Sequence, residues 1–246
     1  MYGFRWNILI DSSFPFYNLM LILAIAISDY IIYYFCKREK YSNFELLCLI
    51  VYVDIFMIYF GKYFTLFSDF TKYSEYKFID IGMSSYGCLI GIFVALYIYK
   101  LQFKKDFSKL FNICLMCVPL MYSLGKIGCF LVGCCYGIEF NSWFSVTYNY
   151  SMIAPKGVSL FPVQAIESFV FLVIFFIYLY LFKKNKINKN VILIFISVSA
   201  FFKFILDYFR MSHVTQVLSI NQIVSVIFIV FCITFIFINK RKSFKN

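Results

Sequence analysis

Three charged side chains near the C-terminus occupy one face of a predicted helix. Lys203, Asp207 and Arg210 are spaced i, i+4 and i+7, which places them on the same side of a helix. A lysine and an aspartate in this arrangement can form a buried ion pair, and an arginine at a helix end can hold two phosphate oxygens. The spacing therefore indicates either a structural ion pair or a site for an anionic group.

A glycine-rich segment, residues 125–137, carries a second candidate site. Lys126, Cys129 and Gly133 share one helical face. Glycines at this density indicate close helix packing or a backbone opened toward a ligand. A lysine flanked by glycines favours an anionic ligand. The glycines are Gly125, Gly128, Gly133 and Gly137.

The cysteines do not form a recognisable disulfide framework. The chain has 9 of them, most within apolar runs, where a thiol behaves as a small hydrophobic group. Cys129, Cys134 and Cys135 lie together and are open to four interpretations: metal binding, a redox pair, a covalent acceptor, or packing beside the glycines. No second ligand pair follows at a familiar spacing, so packing is favoured and no metal is predicted.

The elements that position these residues are membrane-spanning helices. Of 246 residues, 63% are hydrophobic and 14% charged, and the mean hydropathy is +0.82, against about 45–50% apolar and about 25% charged in soluble domains. This excludes a soluble globular enzyme, a disordered chain and a nucleic-acid-binding module. The net charge of +11 comes from basic clusters between apolar runs, which membrane topology explains.

Seven apolar segments predict an all-α, polytopic membrane protein that forms a single domain over residues 1–246. Most basic residues follow the first, third, fifth and seventh segments, so the N-terminus is predicted outside and the C-terminus in the cytoplasm. The external connection 137–159 is open to two interpretations, an interfacial flap or small ordered cap, and an ordinary belt of aromatic side chains at the membrane surface. The aromatic belt is favoured. The segments are Pro15–Cys36, Phe44–Phe67, Phe78–Tyr99, Leu110–Tyr136, Leu160–Phe182, Val191–Phe209 and Val217–Asn239.

Polar groups from five of these segments are predicted at similar depth. Glu167 and Lys203 each lie about 10 Å below the outer ends of their helices, and Tyr86 about 12 Å. Lys126 and Gln222 also fall in the outer half. Ionisable groups inside a membrane usually mark function. A channel or transporter would need such groups across the whole membrane, so the pattern favours a site for a lipid headgroup.

Five segments in this order resemble the motifs of the prolipoprotein diacylglyceryl transferase family, whose members have seven membrane helices and an external N-terminus. The family's H-G-G-L-I-G is similar to YGCLIG at 86–91, and its G-R-x-G-N-F-x-x-G-E to GKIGCFLVGC at 125–134. Its H-P-x-Q-x-x-E resembles FPVQAIE at 161–167. Its R-F-x-x-E-x-x-R resembles KFILDYFR at 203–210, and its G-Q-I-x-S resembles NQIVS at 221–225.

The resemblance implies transfer of the diacylglyceryl group from phosphatidylglycerol to the lipobox cysteine thiol of prolipoproteins, in the outer leaflet of a bacterial plasma (inner) membrane. The partners would be phosphatidylglycerol, prolipoprotein signal peptides and membrane lipid, with no nucleic acid and no cofactor. Cations would stabilise the departing phosphate, and the thiolate would be the nucleophile. The alternative is a non-catalytic or differently acting headgroup-binding membrane protein derived from this family, such as a lipid carrier or an accessory factor.

The resemblance also assigns roles to individual residues. Tyr86 stands at the family's histidine, Lys126 at its signature arginine, and Cys129 and Cys134 at its asparagine and glutamate. The implied catalytic residues are Tyr86, Lys126, Lys203, Asp207 and Arg210. The implied substrate-binding residues are Tyr17, Gly87, Gly125, Cys129, Gly133, Cys134, Gly137, Gln164, Glu167 and Gln222.

Overall fold

The computed structural model describes residues 6–8, 15–68, 70, 74–75, 77–78, 81–214 and 217–243. This part of the chain contains 7 helices long and apolar enough to cross a membrane, which confirms the predicted all-α, polytopic architecture. They are α1 Phe16–Arg38, α2 Asn43–Ser68, α3 Ser85–Phe103, α4 Phe107–Val132, α5 Val163–Lys183, α6 Lys189–Asp207 and α7 Ile220–Ser243.

The start of α3 differs most from the predicted boundary. The helix begins at Ser85 rather than Phe78, and residues 79 and 80 of the predicted segment lie outside the described residues. The carbonyls of Phe78 and Ile81 accept hydrogen bonds from Lys62 Nζ, at 3.1 and 3.0 Å. Among the described residues of 78–84, none is helical. The predicted depth of Tyr86 is therefore wrong, since this residue lies in the first turn of α3.

The described chain divides into two compact units. The small unit, residues 25–118, contains the packed pair α2 and α3. Glycines let their backbones approach closely. A Cβ added at Gly87 would lie 2.3 Å from the carbonyl oxygen of Phe60, and one at Gly91 would lie 2.3 Å from that of Phe56. Gly87 and Gly91 thus hold the packing of α3 on α2.

The large unit comprises the described residues of 1–24 and 119–246. A small sheet caps it. β1 (Trp6–Ile8) runs parallel to β2 (Val146–Tyr148), which is antiparallel to β3 (Ser159–Leu160). In the register, Trp6 faces Val146 and Val146 faces Leu160. The connection after α4 is therefore an ordered cap.

A buried apolar cluster fastens this cap to the end of α4. Phe130, on α4, packs with Val146, Tyr148, Ala154 and Leu160. The Tyr148 hydroxyl donates to the Phe130 carbonyl oxygen at 2.9 Å. This bond satisfies a carbonyl near the helix C-terminus, where intrahelical partners run out. The cap consequently fixes the end of α4, which carries Lys126 and the glycine-rich segment.

Candidate active site

Glu167 is the centre of a buried ionic cluster in the large unit. Its side chain is 0% exposed, and Lys126 Nζ lies 2.9 Å from its Oε2. Arg210 Nη2 forms an ion pair with the other oxygen, Oε1, which also accepts a hydrogen bond from the Tyr122 hydroxyl at 2.8 Å. The carboxylate therefore holds one cation on each oxygen.

Asp207 holds Arg210 from the opposite side. Arg210 Nη1 lies 3.3 Å from Asp207 Oδ1, and the Ser219 hydroxyl donates to Asp207 Oδ2. Asp207 ends α6, and Arg210 follows in extended backbone with φ −90° and ψ 139°. This change of backbone direction after the helix turns the guanidinium toward both carboxylates. We call Lys126, Glu167, Lys203, Asp207 and Arg210 the charged cluster.

Tyr122 joins the members of the charged cluster, and sequence reasoning missed it. Lys126 Nζ and Lys203 Nζ each lie 5.3 Å from the centroid of its ring, an arrangement that attracts cations to the ring face. Its hydroxyl accepts from Arg210 Nη2 at 3.3 Å. Tyr122 precedes Lys126 by one helical turn, and this same-face spacing was the signal available.

The charged cluster forms where the C-terminal ends of α4 and α6 lie close in space to the N-terminal ends of α5 and α7. Its five members are all buried, with 9% exposure or less. Three basic side chains face two carboxylates in this cluster. Arg210 Nε is buried and has no hydrogen-bond partner within the described part of the chain. Buried polar groups are normally satisfied, so this N–H donor is suited to an oxygen of an anionic ligand.

The predicted glycines of α4 serve different purposes. A Cβ at Gly125 would meet nothing within 4 Å, whereas one at Gly128 would lie 3.1 Å from the Tyr17 Cα. Gly128 thus packs α4 against the start of α1. Gly133 has a φ of +84° and ends the helix in a left-handed turn. A Cβ at Gly137 would lie 2.3 Å from the Phe161 carbonyl oxygen, so this position requires glycine.

The two predicted glutamines are buried and bonded within the protein. Gln164 Nε2 donates to the Cys134 carbonyl oxygen at 3.0 Å. Gln222 Oε1 accepts from the Ser219 backbone at 3.0 Å, while the Ser219 hydroxyl accepts from the Gln222 backbone at 3.1 Å. This reciprocal pair is a capping box. Gln222 therefore stabilises the start of α7, and substrate contact by either glutamine stays a prediction.

The cysteine trio, which we define as Cys129, Cys134 and Cys135, is drawn together at the end of α4. The three Sγ atoms all lie within 4.8 Å of one another. Hydrogen bonds from the other two thiols hold the pKa of the Cys135 thiol well below its usual range, and the charges of Lys126 and Arg210 act in the same direction. The three thiols therefore lie close enough together to influence one another.

Tyr86 and Gly87 belong to the small unit. Tyr86 is buried, with 6% exposure, and Gly87 contacts α2 as described above. Their predicted roles in catalysis and substrate binding stay predictions. The other predicted site residues that lie in the large unit with the charged cluster include Tyr17, Gly125, Cys129, Gly133, Cys134 and Gly137.

The fold and the charged cluster together define a polytopic membrane protein with a buried cationic site at its helix ends. The family model for prolipoprotein diacylglyceryl transferase matches residues 6–238. The chain therefore belongs to this family, which confirms the predicted membership.

Individual relatives agree with this assignment. A phosphatidylglycerol–prolipoprotein diacylglyceryl transferase of Dehalococcoides mccartyi is 30% identical over 164 residues, which cover 66% of this chain and 63% of that protein. The protein of the same name from Campylobacter hominis is 28% identical over 239 residues, covering 87% and 82%. One from Clostridium tetani is 34% identical over 114 residues, 46% of each chain. The aligned region thus spans less than two thirds of the first and third relatives and most of the second.

Proposed function

We propose that this protein transfers the diacylglyceryl group of phosphatidylglycerol to the cysteine thiol of prolipoprotein signal peptides. The observation that carries the proposal is the charged cluster, in which Lys126 and Arg210 are held on Glu167 inside an apolar bundle. Family membership supports the same reaction. The site would face the outer leaflet of a bacterial plasma membrane, with the N-terminus outside, as the basic connections predict.

The reaction requires a cationic environment around the phosphate. The acceptor sulfur attacks a glyceryl carbon, a C–S bond forms, and the C–O bond to the phosphate breaks. The bonding electrons leave with the phosphate oxygen, so glycerol phosphate departs with added negative charge. Preorganised cations stabilise such charge most strongly where water is excluded. Lys126 and Arg210 supply those cations, and Arg210 Nε supplies an unpartnered donor.

The two carboxylates position the cations rather than react. Glu167 fixes Lys126 and Arg210 in one place, and Asp207 fixes the second end of the guanidinium. A phosphate entering this site meets donors whose orientation is already set, which reduces the cost of ordering them. Lys203, 5.3 Å from the Tyr122 ring centroid, is the third basic side chain of the site.

The same cations also favour ionisation of the incoming thiol. A thiolate is the reactive form, and neighbouring lysine or arginine lowers a thiol pKa. The family's histidine is replaced here by Tyr86, according to the sequence resemblance. We therefore assign activation of the acceptor mainly to the charge of the cluster, with Tyr86 as a predicted participant.

The test is a transfer assay with purified protein, phosphatidylglycerol vesicles and a lipobox peptide. Mass spectrometry of the peptide should show the diacylglyceryl increment. Lys126→Ala and Arg210→Ala should abolish turnover, whereas Lys184→Ala, at an exposed position, should retain it. Folded protein that binds phosphatidylglycerol without modifying the peptide would favour a headgroup-binding protein instead. Wild-type rates in both cluster variants would refute the assigned phosphate site.

A further inference from the structure

The cysteine trio has a geometry that packing alone does not require. Its three sulfur atoms lie within 4.8 Å of one another. Within the described residues, no other group of three or more Cys, His, Asp or Glu side chains lies close enough together to hold a metal ion. Cys129 is buried, Cys134 is half-buried and Cys135 is exposed. The trio therefore runs from a buried residue to an exposed one.

The backbone brings these sulfurs together through two left-handed residues. The Gly133 backbone donates to the Cys129 carbonyl oxygen at 2.8 Å, closing the last helical turn. Gly133 has a φ of +84°, and Cys135 has a φ of +54°. A non-glycine residue in this region is uncommon and indicates a constraint. The two left-handed residues fold the chain back, so that Cys134 and Cys135 return to the face of Cys129.

Hydrogen bonds from neighbouring segments, including the cap, hold this turn in place. The Ser151 hydroxyl donates to the Val132 carbonyl oxygen at 2.8 Å and accepts from the Ile153 and Ala154 backbones, each at 3.0 Å. Gln164 binds the carbonyl of Cys134. The turn that carries the trio is therefore ordered by contacts that do not involve the sulfurs. Such preorganisation lowers the cost of binding a ligand.

The spacing of the sulfurs suits a small thiophilic ion. Metal–sulfur bonds of about 2.3 Å place ligand sulfurs about 4 Å apart, so closure from the observed spacing requires movements of about 1 Å or less. Soft thiolate ligands select Cu(I) and zinc among the common metals. Structural zinc sites take four ligands, and the trio offers three. Three thiolates around Cu(I) carry net negative charge, which the neighbouring Lys126 and Arg210 stabilise.

We propose that Cys129, Cys134 and Cys135 bind one thiophilic metal ion, with Cu(I) the best match. The site is distinct from the ionic contacts of the charged cluster and does not depend on the proposed lipid transfer. It arises because this chain places three thiols in a turn where the resemblance puts an asparagine and a glutamate at two of those positions.

The experiment is an anaerobic titration of the reduced, purified protein with Cu(I) against a chromophoric Cu(I) chelator. One copper per chain is expected. Cys135→Ser should weaken binding by at least about 100-fold, the upper end of what loss of a supporting partner costs a metal site. The exposed position of Cys135 makes this variant compatible with folding, and a thermal melt checks it.

Two further cysteines provide the matched control. Cys114 and Cys117 are buried thiols on α4, three residues apart and outside the trio. Cys114→Ala and Cys117→Ala should keep the wild-type copper stoichiometry and affinity. Retention of all the copper by the chelator, or equal affinity of wild-type and Cys135→Ser protein, would overturn the proposal. Because copper binding is measured without lipid or peptide, failure of the transferase proposal would leave this result unaffected.

Discussion

Replacing Glu167 by glutamine should destabilise the protein more than any other change of a single carboxylate in the described chain. The substitution preserves the volume and an acceptor for the Tyr122 hydroxyl, but it removes the charge that Lys126 and Arg210 share. Breaking a buried ion pair by removing one partner costs about 3–5 kcal/mol, because the remaining charge stays buried without compensation. Here Lys126 loses its carboxylate partner and Arg210 keeps only Asp207, so the free energy of unfolding should fall by about this amount.

The assay is equilibrium unfolding in mixed micelles, followed by circular dichroism. Glu39→Gln is the matched control, because Glu39 forms an ion pair with Lys109 at 2.8 Å whose partners are 46% and 60% exposed. Exposed pairs contribute little to stability, so this variant should unfold like the wild type. Transfer activity should be lost in Glu167→Gln and kept in Glu39→Gln, since only the former displaces the cations.

A double variant separates charge from packing. Glu167→Gln combined with Lys126→Met removes a cation together with the carboxylate, so part of the lost stability should return even though activity stays absent. Groups in one ionic network are not additive. Equal unfolding free energies for Glu167→Gln and Glu39→Gln, or no recovery in the double variant, would refute the claim that Glu167 holds the cluster.

Two further changes test the neighbouring structure. Tyr122→Phe removes a hydroxyl that is bonded to Glu167 and Arg210. The free energy of unfolding, measured in the same way, should fall by about 1.5–3 kcal/mol. An unchanged value would show that the hydroxyl is dispensable. Gly91→Ala places a Cβ 2.3 Å from the Phe56 carbonyl oxygen and should lower the free energy of unfolding by about 1–3 kcal/mol. Gly125→Ala is the control and should be tolerated, because its Cβ meets nothing within 4 Å. Equal melting temperatures of the two variants would contradict this account of α2–α3 packing.

The helices were predictable because each needs only a long apolar run and polar ends. Six of the seven predicted segments begin within three residues of the observed helices. The start of α3 was missed because its cause is remote in sequence: Ser84 donates its backbone N–H to the Gly61 carbonyl oxygen at 3.0 Å, and Lys62 binds the preceding carbonyls. No property of residues 78–84 alone indicates these contacts.

The charged cluster was predictable as a set, but its connections were not. Ionisable residues stand out in apolar helices, so Lys126, Glu167 and Arg210 were identified by type and spacing. Tyr122 gave no comparable signal, since the chain has 21 tyrosines and most membrane proteins place them at interfaces. The convergence of three thiols depended on the left-handed backbone at Gly133 and Cys135, which the sequence pattern does not specify.

The geometry of Glu167 explains how the cluster accommodates a lysine where the family resemblance places an arginine. An arginine recognises a carboxylate best when it reaches both oxygens, and a lysine engages as a point charge. Here Arg210 already occupies Oε1, so only Oε2 is open to the second cation, and Lys126 binds it at 2.9 Å. A bidentate contact is therefore not required of residue 126. Arg210 keeps a donor for a phosphate oxygen, because its Nε has no protein partner in the described chain. In the proposed phosphate site, Arg210 thus offers this oriented donor, while Lys126 supplies charge.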